Sequence, residues 1–547
     1  MHAGLLQNGR VVFLDKVENF TQLKLSDGQF AYSSEYDPAT NQAVALAYKT
    51  NAFCSGGAFL ADGRFISVGG NAPLPDVDPT VGDGFDAIRY LSRSTTDASL
   101  DGQEWSEPGN KLASARWYAS AQILLDGSVF VASGSLNGLD PTVPANNNPT
   151  YEILSAEGIT NGVNVPMDIL VKNQPYYMYP FLHLLPDNSL FVFVSKSAEL
   201  FDVSTNATIR TLPDLPGDYR TYPNTGTSVL LPLSSANSWN PEVVICGGGA
   251  YQDITSPTDP SCGRIQPLAA DASWEMDSMP QGRGMVESVL LPDGTVVFLN
   301  GANLGAQGFG LATDPTLEPL IYDPTQPLGQ RFSSGTPSTI PRLYHSVALL
   351  LLDGTILVAG SNPVQQPILT PSAANPYVTE FRVEICESFF FPWGVSLSTA
   401  LIPCLSPLPL YSFLMSTNSP DEAKPDTPPY LSLPLATARP TNITLSSTSL
   451  TLTTTFTISF SASPTAQNVT ISLYHGGFVT HSLHMNQRMI ILDHTGWVPG
   501  QAVQELEVAM PGIMGTDAPE ALVPPGPYVV WVVVDGVPGN GTFVSVG

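Results

Sequence analysis

The sequence predicts an all-β protein, with a seven-bladed kelch-like β-propeller over residues 1–385 and an immunoglobulin-like β-sandwich over residues 427–547. An apolar run, an Asp-Gly-like turn and a second β-rich run ending in Gly-Gly or Gly-Ser recur seven times, the signature of a hairpin. The turns fall near residues 9, 63, 127, 188, 236, 294 and 354, at intervals of about 50 to 64, which is the spacing of kelch-like blades. After about residue 440 the pattern changes to Thr-, Ser- and Val-rich alternation, which reads as a separate sandwich.

Taken in order, the blade signatures are Gly4-LLQNGRVVFLD, Ala58-FLADGRFISVGGN, Ala121-QILLDGSVFVASGS, Leu182-HLLPDNSLFVFVSK, Ser228-VLLPLSSANSWNPEVVICGGG, Ser288-VLLPDGTVVFLNGAN and Val347-ALLLLDGTILVAGSN. The sandwich signatures are Asn442-ITLSSTSLTLTTTFTISFSAS and Pro527-YVVWVVVDGV. Between the two domains, residues 386–426 form an atypical apolar insert, with no charged side chain from Ser388 to Pro420. Its length suits a membrane span, but Pro392, Pro403, Pro407 and Pro409 would break a helix repeatedly. A mis-spliced insertion, with no stable membrane span, is the reading that fits this composition.

Composition agrees with a turn-rich globular protein. Of 547 residues 50 are Pro and 46 Gly, charged residues make up 13%, and hydrophobic residues at 43% supply a core, which excludes a disordered or coiled-coil chain. A net charge of −27 repels phosphate backbones and anionic surfaces, so nucleic acid is excluded as a partner. Met1 is followed by no basic and apolar leader, yet Asn19, Asn206, Asn442, Asn468 and Asn540 are glycosylation acceptors. Together these point to a secreted or cell-wall protein whose gene model has lost its signal.

Stepping back seven positions from the residue before each turn brings Cys54, Tyr118, Tyr179, Thr225, Met285 and His345 into register at one rim, with Tyr344 adjacent. The first blade's equivalent falls at residue 0, which predicts a lost first strand. Innermost strands surround a propeller's channel, so these side chains can converge. A thiol, two phenols and an imidazole suit tetragonal Cu(II) better than structural zinc, which prefers several thiolates. A further nitrogen is expected from the C-terminal domain, where His475, His481, His484 and His494 hold four of the seven histidines. Spacing does not choose among them. Neighbours on a regular strand face opposite ways, so Tyr344 and His345 can both reach one metal only where the backbone is irregular. Trp117, Tyr179 and Met285 are candidate pocket residues, with channel packing as the competing reading.

Phe53-Cys-Ser-Gly-Gly, Arg116-Trp-Tyr, Arg342-Leu-Tyr-His-Ser and Thr480-His-Ser resemble the four signatures of the galactose oxidase and glyoxal oxidase family of copper radical oxidases, and Arg-Trp-Tyr is closer to the glyoxal oxidase branch. Met1-HAGLLQNGRVVFLDK and Tyr222-PNTGTSVLLPL are similar to that branch as well. The resemblance implies one mononuclear copper ion, with Tyr118, His345 and His481 as equatorial ligands and Tyr344 as the axial ligand and general base. It implies a thioether bond between Cys54 and Tyr118, forming a radical cofactor, and a disulfide between Cys246 and Cys262. It implies a monomeric oxidase that converts small aldehydes of the glyoxal and methylglyoxal type to carboxylic acids while reducing O2 to H2O2, a product that peroxidases can use. A galactose or primary-alcohol oxidase with the same copper site, and a kelch-type propeller that only binds, are the alternatives.

Overall fold

The computed structural model describes residues 1–138, 140–250, 255–306, 308–386, 438–512 and 519–547. The insert predicted at 386–426 therefore lies outside the described residues except for Cys386, which ends the strand Val383–Cys386. The fold is all-β. Among the described residues seven antiparallel sheets, each a meander with three or four strands from this span, follow one another from His2 to Cys386, and a two-stranded sheet of Ala302–Gly305 and Ala312–Pro315 is inserted in the sixth.

Each predicted turn closes the first hairpin of its sheet. In the second sheet Gly56–Phe59 pairs with Phe65–Val68, Leu60 N–H donates to Arg64 O, and Gly63 N–H donates to Leu60 O. The Asp62 carboxylate accepts Arg64 N–H at 3.0 Å. The same aspartate contact recurs from Ser128 to Asp126, Ser189 to Asp187, Thr295 to Asp293 and Thr355 to Asp353. The residue after that aspartate has a positive φ, which is why glycine stands there in every such turn but one, where Asn188 takes its place. The fifth hairpin lacks this turn. Its excursion forms Leu233–Ser234, which pairs in parallel with Arg488–Leu492 of the C-terminal domain.

In the first sheet His2–Leu5 pairs residue for residue with Val11–Leu14 and serves as the inner strand.

Five arginines, Arg89, Arg116, Arg220, Arg283 and Arg342, are fully buried, each beside one sheet. Each donates to a backbone carbonyl at the end of its sheet's second strand: Gly69, Ser133, Gly247, Asn300 and Gly360 respectively. Three of them face a carboxylate, in Arg116–Glu152 at 2.8 Å, Arg220–Asp259 at 2.9 Å and Arg342–Glu384 at 2.7 Å. Carboxylate pairing and carbonyl contacts offset the cost of burying these guanidinium groups, although Arg89 Nη2, Arg220 Nε and Arg283 Nε make no hydrogen bond.

In the C-terminal domain, a four-stranded sheet containing Thr455–Ser461 and Val503–Ala509 alternates buried and open residues, as a sheet with one wet face does. A larger sheet is centred on Val469–His475 and Gly526–Val534. All nine residues of Gly526–Val534 are buried. Val530, Val532 and Val534 join a core with Phe456, Ile458 and Leu506, whereas Val529, Trp531 and Val533 pack with Val229, Leu291 and Leu350 of the seven-sheet domain. This strand is covered on both faces, which is why its sequence is continuously apolar.

One hairpin leaves the larger sheet. Phe478–Thr480 and Leu483–Met485 extend into the seven-sheet domain, where Val479 pairs with Ala3, and the hairpin lies against the inner strand of all seven sheets. Polar side chains at its base hold it there. Asn486 Oδ1 accepts Ile123 N–H at 2.7 Å, Gln487 Oε1 accepts Leu290 N–H, and Arg488 donates to the Leu184, Ala521 and Leu522 carbonyls. At the tip, Thr227 Oγ1 donates to Ser482 O at 2.7 Å.

Candidate active site

The rim residues predicted from repeat register share an unusual backbone conformation. Cys54, Tyr118, Tyr179, Met285 and His345 all have φ between 46° and 71°, immediately before or near an inner strand. Left-handed backbone is uncommon outside glycine and costs about 1–3 kcal/mol per residue, so such positions cluster where function requires them. Thr225 has no positive φ, but backbone bonds join three neighbouring pairs of rim residues. Tyr118 N–H donates to Cys54 O at 2.9 Å, Tyr179 N–H to Tyr118 O at 3.1 Å and Met285 N–H to Thr225 O at 2.9 Å. The kink at His345 supplies the irregular backbone that joint use of Tyr344 and His345 requires, and their ring centroids lie 3.9 Å apart.

At the tip of the central hairpin, His481 and Ser482 also adopt positive φ. The His481 ring lies 4.3 Å from His345 and 5.6 Å from both Tyr118 and Tyr344. His481 Nε2 is 3.4 Å from Cys54 Sγ and 3.5 Å from Tyr344 Oη. Thr480 Oγ1 lies 2.7 Å from His481 Nδ1 and donates its own proton to Met1 O. The threonine oxygen therefore accepts from Nδ1–H, which leaves the Nε2 lone pair facing the site. His345 Nδ1 is bonded to the Met1 amine at 3.0 Å, while its buried Nε2 has no partner.

The site favours uncharged groups. Burial, and secondarily the N-terminal ammonium, hold both imidazoles well below the ordinary histidine range. Burial also pushes the Cys54 thiol and the Tyr118 and Tyr344 phenols upward. Ligand atoms of Cys54, His345 and His481 lie within 4.8 Å of one another, so two neutral imidazoles, a thiol and two phenols converge on one buried point. This donor set fits a copper ion, and proton release would accompany its binding.

The other histidines are engaged elsewhere. His475 Nδ1 is bonded to Pro527 O, His484 Nδ1 to Ser288 O and His494 Nε2 to Val469 O. Of the three pocket candidates, Trp117 retains 8% exposure and lies 4.8 Å from the Tyr118 ring. Tyr179 and Met285 are fully buried, with Tyr179 Oη donating to Ser55 O and Met285 packed at Ser482. Two aromatic residues escaped the sequence reading. Half-buried Phe309 stacks on Phe53 and meets Tyr344 edge-on at 5.6 Å. Tyr222 stacks on Tyr118. Neither sits on the repeat register, and only the Tyr222-Pro-Asn-Thr-Gly run carried a signal.

Cys246 and Cys262 form a disulfide, and Cys54 is a free buried thiol. Among the described residues no helix is long and apolar enough to cross a membrane.

Behind the hairpin tip, the fully buried Glu287 carboxyl accepts Ser482 N–H, and burial pushes it up to about 8. Its folded value exceeds its unfolded one, so its contribution to stability is complete below about 4.5 and is lost as pH rises toward about 8. Glu287→Gln is expected to remove that part of the pH dependence. Urea midpoints of both proteins from pH 5 to pH 8 measure it; burial also raises the Glu18 and Asp293 carboxyls, to about 7 and about 6, but these titrate in both proteins and cancel in the difference.

Residues 1–390 match the family described as Glyoxal oxidase N-terminus, and residues 439–546 match the Galactose oxidase-like, Early set domain family. Over its whole length the chain is 31% identical to the aldehyde oxidase GLOX of Vitis pseudoreticulata, covering 94% of that protein. It is 30% identical to the aldehyde oxidase GLOX1 of Arabidopsis thaliana, over 94% of this chain and 75% of the relative. Among solved structures, a fungal alcohol oxidase of the AA5 family in complex with copper superposes with a TM-score of 0.66 at 19% identity, covering 100% of this chain and 96% of that one, a likeness of fold. These matches make the protein an oxidoreductase of the galactose oxidase and glyoxal oxidase class, the copper radical oxidases. More particularly, the chain belongs to the glyoxal oxidase family.

Proposed function

We propose that the protein is a secreted copper radical oxidase that converts small aldehydes to carboxylic acids, consuming O2 and water and releasing H2O2. The observation that carries this reading is the delivery of His481, by a hairpin from the C-terminal domain, to Cys54, Tyr118, Tyr344 and His345. The aldehyde oxidase names of its relatives favour aldehydes as the substrate class. The seven sheets are read as propeller blades, because one hairpin touches all seven inner strands. The domain limits remain 1–385 and 427–547. The Cys246–Cys262 disulfide favours an oxidising compartment.

In this reading Tyr118, Tyr344, His345 and His481 hold one copper ion. Copper supplies a one-electron acceptor and a Lewis-acid centre. Cys54 is joined through Sγ to the Tyr118 ring, a bond that makes the mature chain lighter by two hydrogens. Thr480 orients His481, and the surrounding burial keeps water from the ring that carries the radical. Tyr344 Oη takes a proton from the hydrated aldehyde. Tyr118 Oη, as phenoxyl, takes the hydrogen atom from the substrate carbon, and the substrate then gives up its second electron to become the acid.

The test supplies copper-loaded, oxidant-treated protein with methylglyoxal, glyoxal, galactose and a primary alcohol, and measures peroxide. Peroxide from the two aldehydes is the expected result. Peroxide from the sugar or the alcohol alone would replace the substrate class, and failure to bind copper would favour a propeller that only binds.

A further inference from the structure

Of the rings packed around Tyr118, that of Tyr222 is nearest, at 4.2 Å between centroids and 25° between planes, against 4.8 Å for Trp117 and 5.4 Å for Tyr179. Its hydroxyl donates to Tyr118 Oη at 3.1 Å. The segment carrying it is fixed. Thr221 Oγ1 donates to Tyr176 O at 2.9 Å and accepts Ser195 N–H at 2.8 Å, and neighbouring Arg220 is ion-paired with Asp259. Tyr222 itself is 4% exposed, so water does not compete for its hydroxyl.

We propose that Tyr222 is a positioning residue that sets the reduction potential of the Tyr118 radical through this hydrogen bond. The inference rests on the radical reading above. The couple concerned is one electron added to the Tyr118 phenoxyl to give the phenolate, with no bond broken and no proton moved. A hydrogen bond to an ionised oxygen is stronger than one to a neutral oxygen. The Tyr222 hydroxyl therefore stabilises the phenolate more than the phenoxyl and makes the radical the stronger oxidant. The stacked ring holds the donor in line with Tyr118.

The experiment is a mediated redox titration of the copper-loaded full chain, with ferricyanide as oxidant and the radical followed by its visible absorption. Tyr222→Phe keeps the ring and loses the donor. The expected result is a radical-to-reduced ratio about tenfold higher than in the unsubstituted protein at the same applied potential, a midpoint lower by about 59 mV. It is accompanied by a fall in kcat at unchanged KM. Tyr177→Phe is the control, since it removes a buried hydroxyl that bonds Gly134 O, away from the candidate metal ligands. An unchanged or raised midpoint in Tyr222→Phe, or an equal shift in Tyr177→Phe, overturns the proposal. Absence of any radical band in the unsubstituted protein overturns the radical reading, and with it this proposal.

Discussion

Tyr118→Phe is expected to abolish peroxide production, by on the order of 10^4-fold or more, the scale seen when one indispensable member of a catalytic unit is removed. The substitution deletes one oxygen. The ring keeps its stacked contact with Tyr222 and its tilted contact with Trp117, and the left-handed backbone at residue 118 is unchanged in its demands, so the fold should be retained. What is lost is the atom that both holds the metal and carries the radical. Cys54→Ser should approach the same loss by another route, because the thioether cannot form while Tyr118 Oη stays in place. Intact mass separates the two mechanisms, since only a chain with both Cys54 and Tyr118 loses two hydrogens on copper treatment in air. Turnover in Tyr118→Phe within tenfold of the unsubstituted protein would exclude Tyr118 as the radical site.

The sequence carried the fold wherever a physical requirement forced a residue choice. Positive φ after the turn aspartate demands glycine or asparagine, so Gly63, Gly127, Asn188, Gly294 and Gly354 announced their hairpins. The rim was legible for a related reason, since inner-strand starts recur at a fixed distance from those turns. Cys54, Tyr118, Tyr344 and His345 were therefore placed together without any contact information. His481 was not separable from His475, His484 and His494 by spacing, because the choice depends on a hairpin tip meeting seven strands distant in sequence. Tyr222 and Phe309 were missed for the same reason: they enter from loops off the repeat. Tyr179 and Met285 are buried against the hairpin tip, which repeat register does not foretell.

Removing the Arg116 guanidinium is expected to separate stability from activity. Arg116 is fully buried and donates to Glu152, to the Ser133 and Thr150 carbonyls, to Thr150 Oγ1 and to Asn164 Oδ1. It stands two residues before Tyr118, as Arg342 with its Glu384 partner stands two before Tyr344. Arg116→Met leaves Glu152 buried without its cation, a change that costs roughly 3–5 kcal/mol. Arg116→Met combined with Glu152→Leu removes the stranded charge as well, and apolar replacements of whole buried pairs are often nearly neutral. Urea unfolding should therefore show a large loss in the single variant and recovery of most of it in the double. Turnover should not recover in parallel, because the Ser133 carbonyl has lost the Arg116 donor, the Thr150 carbonyl keeps only its bond from Ser133 N–H, and the positive φ at Tyr118 has lost its restraint. If the double variant regains both stability and full turnover, the buried arginine supports the sheet alone, and the ligand-bearing kink holds its geometry without it.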